Sequence, residues 1–318
     1  MPTEAKDVVA SPARGQQRAW HHPAPPLVLT MALWGSGFVI SKIMVGAVPY
    51  SVAATLRFGS GSAVLVLALW LSRARPAGIS RSEIGPLAVA GALGVFSYNA
   101  LLFFGLSRAP AVDAAIIVPI LSPILTTATA LLLRWEKAQW HRLTGLAVGA
   151  GGAAVFYLGV AHSDGGSPRL LGELAYVAAA VSWAAYTMVG KRVLARIEPI
   201  RATAYSMALG SVMLGILAAP DLARVPWGGL PGSFWPTMAF LVLGPTAIAY
   251  ALFYRGVRQV GPATASILMF LVPVSGTVLS FLLIGESIGA VQLTGSLLML
   301  AGALLAIAWS GLLGRRAR

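Results

Sequence analysis

The chain has no cysteine among its 318 residues. Disulfides, thiol nucleophiles and thiolate metal sites are therefore excluded, and the redox compartment stays open. Charge is scarce as well: 10% of residues are Asp, Glu, Lys or Arg, where soluble domains carry about 25%. Acids are the scarcer sign, ten against 23 Lys and Arg. Histidine occurs four times, with no His-Glu cluster to hold a metal, and there is no Gly-x-Ser-x-Gly elbow for a serine nucleophile. An enzyme acting inside a membrane, or one depending on a metal or organic cofactor, finds no support in these residues.

What remains is apolar. The chain is 57% hydrophobic, with a mean hydropathy of +0.79. A soluble fold of this length cannot hide so much apolar surface, because its own surface must still face water. Lipid is the expected solvent. A bilayer-spanning helix takes about 20 apolar residues, and ten segments qualify: 26–46, 50–72, 84–106, 110–133, 141–160, 170–192, 200–219, 233–254, 262–284 and 288–312. The expected fold class is an all-α polytopic membrane protein. Residues 1–25 read as a disordered cytoplasmic tail rather than a cleavable signal, and 313–318 as a short basic one.

The net charge of +13 does not require a nucleic-acid partner. With the N-terminus inside, nearly all Lys and Arg fall on cytoplasmic segments. The outer loops hold only Arg108, Arg169 and Arg224, as the positive-inside rule demands. Both termini are then cytoplasmic, in a multi-pass cell membrane protein, most simply one of a bacterial inner membrane.

The phrase "LWGSGFVISK" (33–42) has an echo in "SWAAYTMVGK" (182–191), each with Trp followed by Lys eight positions on. Pro123 and Pro273, Glu136 and Glu286, and two "LTG" triplets repeat at the same offset of about 150 residues. Two halves of five spans follow, 26–160 and 170–312. Five is odd, so the second half enters the bilayer from the opposite side. Inverted repeats of this kind enclose a midplane site in secondary transporters.

The residues in these phrases resemble the drug/metabolite transporter superfamily, specifically its EamA-type ten-helix carriers. "LWGSGFVISK" is similar to that family's first helix, and "GELAYVAAAVSWAAYTMVGKR" (172–192) to the start of its second repeat. "FLVPVSGTVLSFLLIGESIGAVQLTGSLLMLAGALL" (270–305) is similar to helices nine and ten. The first half departs at Trp135-Glu136, where the family has Gly-Glu. The resemblance implies two five-helix repeats around a central cavity, and export of amino acids, other metabolites or toxic compounds. Other branches exchange phosphorylated or nucleotide-linked metabolites, which is the alternative reading; a channel or an intramembrane enzyme is a further one.

Helical spacing puts Trp34, Phe38, Ser41 and Lys42 on one side of the first span, and Trp183, Tyr186, Thr187 and Lys191 on one side of the sixth. The expected substrate wall is Trp34, Tyr98, Asn99, Trp183, Tyr186, Tyr250 and Met269. It is aromatic and neutral-polar, so it suits neutral or zwitterionic amphipathic solutes. For the tryptophans, plain helix packing is equally open. Lys42 and Lys191 are read as gates or as snorkelling anchors. Arg57 is expected to pair with Asp113 or to meet a substrate carboxylate. Asp113 and Glu173 are expected to complement helix N-termini, and no buried carboxylate pair is expected. Pro119, Pro123 and Pro273 are expected to break helices four and nine as hinges. The implied partners are a small molecule and the bilayer, with a proton as candidate coupling ion. No cofactor is implied, and monomer and homodimer both stay open.

Overall fold

The computed structural model of the protein describes residues 24–71, 80–134, 139–161, 166–194, 197–249, 252–253 and 268–313. Among these there are helices and no strand. In hydrocarbon every backbone N–H and C=O must find a partner within the protein, and a helix supplies them locally.

Among the described residues ten longer helices follow one another, besides a short helical turn at Trp227–Gly229: α1 (Ala24–Ala47), α2 (Tyr50–Leu71), α3 (Arg81–Leu106), α4 (Ala111–Leu132), α5 (Trp140–Ala161), α6 (Gly166–Leu194), α7 (Pro199–Leu222), α8 (Phe234–Ile248), α9 (Leu271–Ile284) and α10 (Ala290–Leu313). Six of them, α1–α4, α6 and α7, are long and apolar enough to cross a membrane. The other four contribute shorter apolar stretches, Leu143–Gly159, Phe234–Ile248, Leu271–Ile284 and Ala290–Leu305. The chain is a multi-pass helical membrane protein.

Two segments are not plain α-helix. Ala92–Ser97 inside α3 and Val242–Ile248 at the end of α8 are π-helical. A π turn holds an extra residue, loosens the backbone ladder and redirects side chains, and it recurs at functional sites. Side chains take up the loosened carbonyls. The Ser182 hydroxyl of α6 donates to Leu93 O at 2.9 Å, Asn99 Nδ2 to Val95 O at 2.8 Å, and Thr246 Oγ1 to Leu241 O at 3.2 Å.

The packing has a regular plan. α5 runs along α10, α2 along α7 and α4 along α9. α1 packs on α9 and α6 on α4; α3 packs on α6 and α7, while α8 packs on α1 and α2. Small residues permit the closest approaches, as is usual where no hydrophobic force draws helices together in lipid. A side chain at Gly302 of α10 would run into the backbone of Gly149 in α5, and one at Gly295 into Phe156. Between α1 and α9, Ser275 Oγ donates to Met31 O at 3.0 Å, where Gly35 leaves no room for a side chain. Ser51 Oγ donates to Asp221 Oδ2 at 2.6 Å and ties α2 to α7.

The proline expectation needs correction in part. α4 is continuous through Pro119 and Pro123, so neither ends a helix. Next to the prolines, hydroxyls bond back one turn along the same helix: Ser122 Oγ donates to Val118 O at 2.6 Å and Thr126 Oγ1 to Ser122 O at 2.8 Å. Pro273 sits in the first turn of α9, just after a turn at Met269–Phe270. A missing N–H is harmless there, since first-turn N–H groups have no intrahelical acceptor.

Candidate functional site

Three of the expected wall residues come together between α3 and α6. The Tyr98 and Trp183 rings lie 4.9 Å apart, centroid to centroid, and those of Trp183 and Tyr186 5.3 Å apart, all tilted by about 50°. Trp183 and Tyr186 are one helical turn apart on α6. Tyr98 opens the α-helical turn that follows the π segment of α3. The Tyr186 ring also packs against Gly94 of the α3 π segment, where no side chain would fit.

Arg57 borders this cluster. It stands about two turns into α2, with Nη1 donating to Ser41 Oγ at 2.9 Å. Its guanidinium carbon is 4.9 Å from the Phe58 ring centroid. It lies against Gly37, where a side chain would come within 3.3 Å of Nη2, beside Pro245 of the α8 π segment. It is also close enough to Tyr98 to act on the phenol electrostatically. A cation is thus held inward among α1, α2 and α8, next to an aromatic cluster.

Trp34 is half-buried and packs at 5.0 Å from Phe253, so the first-half tryptophan meets an aromatic of the second half. Asn99 is 1% exposed, its amide N–H turned to its own helix; Oδ1 accepts from no described residue. Met269 lies in the turn before α9, half-buried against the core. Tyr250 and the Lys191 side chain lie outside the described residues.

The charged residues gather at one end of the bundle, where α1 and α9 finish and α4 and α6 begin. Lys42 Nζ donates to Leu106 O at 2.7 Å and to Ala109 O at 2.8 Å, which are carbonyls left over at the end of α3. Glu286 accepts from the Ala111 and Val112 N–H groups, both at 2.9 Å, and from Ser280 Oγ at 2.5 Å. A lysine from α1 and a glutamate following α9 therefore clamp the α3–α4 corner from its two sides, each charge set on the matching end of a helix dipole. Tyr176 OH also donates to the Ala109 and Pro110 carbonyls, at 3.2 and 3.0 Å.

Two expectations are overturned here. Asp113 does not pair with Arg57: Arg169 Nη2 meets Asp113 Oδ2 at 2.8 Å. Asp113 stands in the first turn of α4, at the positive end of that helix, while Glu286 takes the Ala111 and Val112 N–H groups. A buried carboxylate pair does exist. Glu173 is 0% exposed and Asp113 1%, and both stand beside one guanidinium, with Arg169 Nη2 2.8 Å from Asp113 Oδ2 and its Nε 3.7 Å from Glu173 Oε1. Glu286 and the Arg169–Glu173 pair were missed as site residues. An acid inside an apolar span, with an arginine four positions before it on the same face, was the signal for the second.

The EamA-like transporter family matches the chain twice, over residues 26–158 and 170–308. The chain belongs to the EamA-like transporter family. A "Probable terminal-alkyne amino-acid exporter" of Streptantibioticus cattleyicolor is 29% identical over 286 residues, covering 88% of this chain and 91% of that one. The aromatic amino acid exporter YddG of Ancylobacter novellus is 29% identical over 251 residues, covering 78% and 83%. One crystal structure shares the fold, with a TM-score of 0.61 at 24% identity, over 91% of this chain and 96% of that one. This EamA transporter is not an enzyme.

Proposed function

We propose that the protein exports small neutral or zwitterionic amphipathic metabolites, amino acids foremost, by alternating access. The observation that carries this reading is the Tyr98–Trp183–Tyr186 cluster with the Arg57 guanidinium beside it. A zwitterion with an apolar side chain needs an aromatic surface and a carboxylate partner, and this site offers both. The names of the two exporters described above point to the same substrate class.

The working architecture is two inverted five-helix repeats, 26–160 and 170–312, with both termini cytoplasmic. Three facts support it. The family matches once in each half. The π segments recur at matched places, Ala92–Ser97 and Val242–Ile248. The helix pairings also survive exchange of the halves: α3 sits on α6 and α7 as α8 sits on α1 and α2. In that frame the Lys42–Glu286 clamp lies at the outer end and holds it shut. Residues 1–25 and 313–318 are cytoplasmic tails, and the membrane is the cell membrane.

The test is counterflow in proteoliposomes, with L-phenylalanine preloaded and labelled L-phenylalanine outside. A carrier gives transient, saturable accumulation of label. Flux that rises linearly with concentration and shows no counterflow would sink the carrier reading.

A further inference from the structure

We propose that Asp113 and Glu173 form a one-proton site, in which Glu173 is held as the neutral acid and donates its O–H to the Asp113 carboxylate, and that loading and unloading of this proton couples transport to a proton gradient. The coupling half of this rests on the carrier reading above; the proton site does not.

Charge balance is the first argument. Five ionisable side chains of opposite sign crowd this end of the bundle: Lys42 from α1, Asp113 from α4, Arg169 and Glu173 from α6, and Glu286 from the segment after α9. Tyr157 of α5 and Tyr176 of α6 complete the surround, but both point their hydroxyls at backbone carbonyls: Tyr157 OH donates to Glu173 O at 3.2 Å, and Tyr176 OH to Ala109 O and Pro110 O. Lys42 and Glu286 are each satisfied by the helix ends they clamp. That leaves Arg169 alone between two carboxyl groups, and one guanidinium balances only one carboxylate.

Hydrogen bonding is the second. Arg169 serves Asp113 at 2.8 Å, yet its Nε stays 3.7 Å from Glu173 Oε1. Neither oxygen of Glu173 accepts a hydrogen bond from any described residue, and the side chain is fully buried. A buried carboxylate with no donor is among the costliest arrangements a protein can hold. A carboxylic acid in the same place needs only an acceptor, and Asp113 is that acceptor. One proton therefore settles both the charge and the hydrogen-bond deficit.

The position suits a coupling site. Asp113 belongs to the first half of the chain and Glu173 to the second. Glu173 shares α6 with Trp183, about 15 Å away at 1.5 Å per residue, so a shift of α6 moves the proton site and the aromatic cluster together. The Arg169 side chain keeps 18% of its surface exposed, which marks where water arrives when α4 and α6 part. On release the Glu173 O–H bond breaks, the proton passes to water, and both carboxylates then face water and Arg169.

Infrared spectroscopy of the purified protein tests the site without any substrate. The wild type is expected to show the carbonyl stretch of a protonated carboxyl group at neutral pH, shifted in D2O, and Glu173→Gln is expected to lose it. Gln is the isostere of the neutral acid, so the variant keeps its fold; should it not, Asp113→Asn, which replaces the charged acceptor with a neutral amide oxygen, must move the band. A band unchanged in these variants, or absent from the wild type, overturns the proposal. Coupling is read in vesicles with L-phenylalanine. Glu173→Gln is expected to retain counterflow and to lose at least tenfold in accumulation driven by a pH gradient. Undiminished accumulation in that variant overturns the coupling. Absence of counterflow in the wild type strikes the proposed function instead, and leaves the infrared band to decide the site.

Discussion

Single side chains at this site have separable roles, and substitutions can tell them apart. Trp183 touches both Tyr98 and Tyr186, while Trp227 stacks on Trp235 at 6.3 Å, far along the chain from the aromatic cluster. Trp183→Ala is expected to cut L-phenylalanine counterflow by up to roughly tenfold, in keeping with about 0.5–1.5 kcal/mol for an aromatic contact, and Trp227→Ala to leave it near wild type. Equal losses would remove Trp183 from the substrate wall. Arg57→Gln is expected to raise the apparent KM for L-phenylalanine by about 10- to 100-fold, the range of a charged hydrogen bond. The same change should barely affect L-phenylalaninamide, which has no carboxylate; a matching loss for both would assign Arg57 to packing. Glu286 makes a different prediction, because it touches backbone and not substrate. Glu286→Ala leaves two N–H groups of α4 and the Ser280 hydroxyl without their acceptor, and is expected to destabilise the fold by about 1–3 kcal/mol, read as a lowered Tm. The residue types of this site were visible from the first reading, but their partners were not. Asp113 lies 56 residues from Arg169 and Glu286 lies 175 residues from Ala111 along the chain. Helical spacing ranks neighbours within one helix and says nothing of which helix stands opposite.

At the scale of elements, apolar length announced the helices, because runs of about 20 apolar residues suit a helix that satisfies its own backbone in lipid, whereas barrel strands are about half as long. The π segments were not announced. At Ala92–Ser97 the Leu93 carbonyl receives the Ser182 hydroxyl of α6, a tertiary contact that local sequence does not reveal. Prolines misled for a related reason: Pro119 and Pro123 carry the local signature of a break, yet α4 passes through both. Glycine tells more when its surroundings are known. Gly302 and Gly46 look alike in the sequence, but a side chain at Gly302 meets the backbone of α5 while one at Gly46 meets nothing within 4 Å. Gly302→Ala is therefore expected to lower the Tm, by an overpacking cost of about 1–3 kcal/mol. Gly46→Ala is expected to be neutral or to raise it, since Ala favours helix over Gly by up to about 1 kcal/mol. Similar behaviour of the two variants would mean that α5 and α10 do not meet closely along this seam.

For the whole molecule, the decisive question is which way the chain faces. In the architecture proposed above, the asymmetry of Lys and Arg sets the N-terminus inside and the inverted repeat sets every later crossing, so one error of a single span would reverse all that follows it. The same frame makes the clamp of Lys42 and Glu286 an outer seal and sets the Asp113–Glu173 site behind it. The absence of cysteine makes the frame easy to test, because a single introduced thiol has no native competitor. Gly232 lies in the segment between α7 and α8, exposed and with open space around it. Gly232→Cys in intact cells is expected to react with a membrane-impermeant maleimide. Ala317→Cys, in the basic tail, is expected to react only after the membrane is opened. If Ala317→Cys alone labels from outside, the orientation is reversed, and the clamp becomes an inner seal with the proton site behind the cytoplasmic face. If both label from outside, the number of crossings between them is even instead of the three that α8, α9 and α10 make, and the four shorter helices do not all span the membrane.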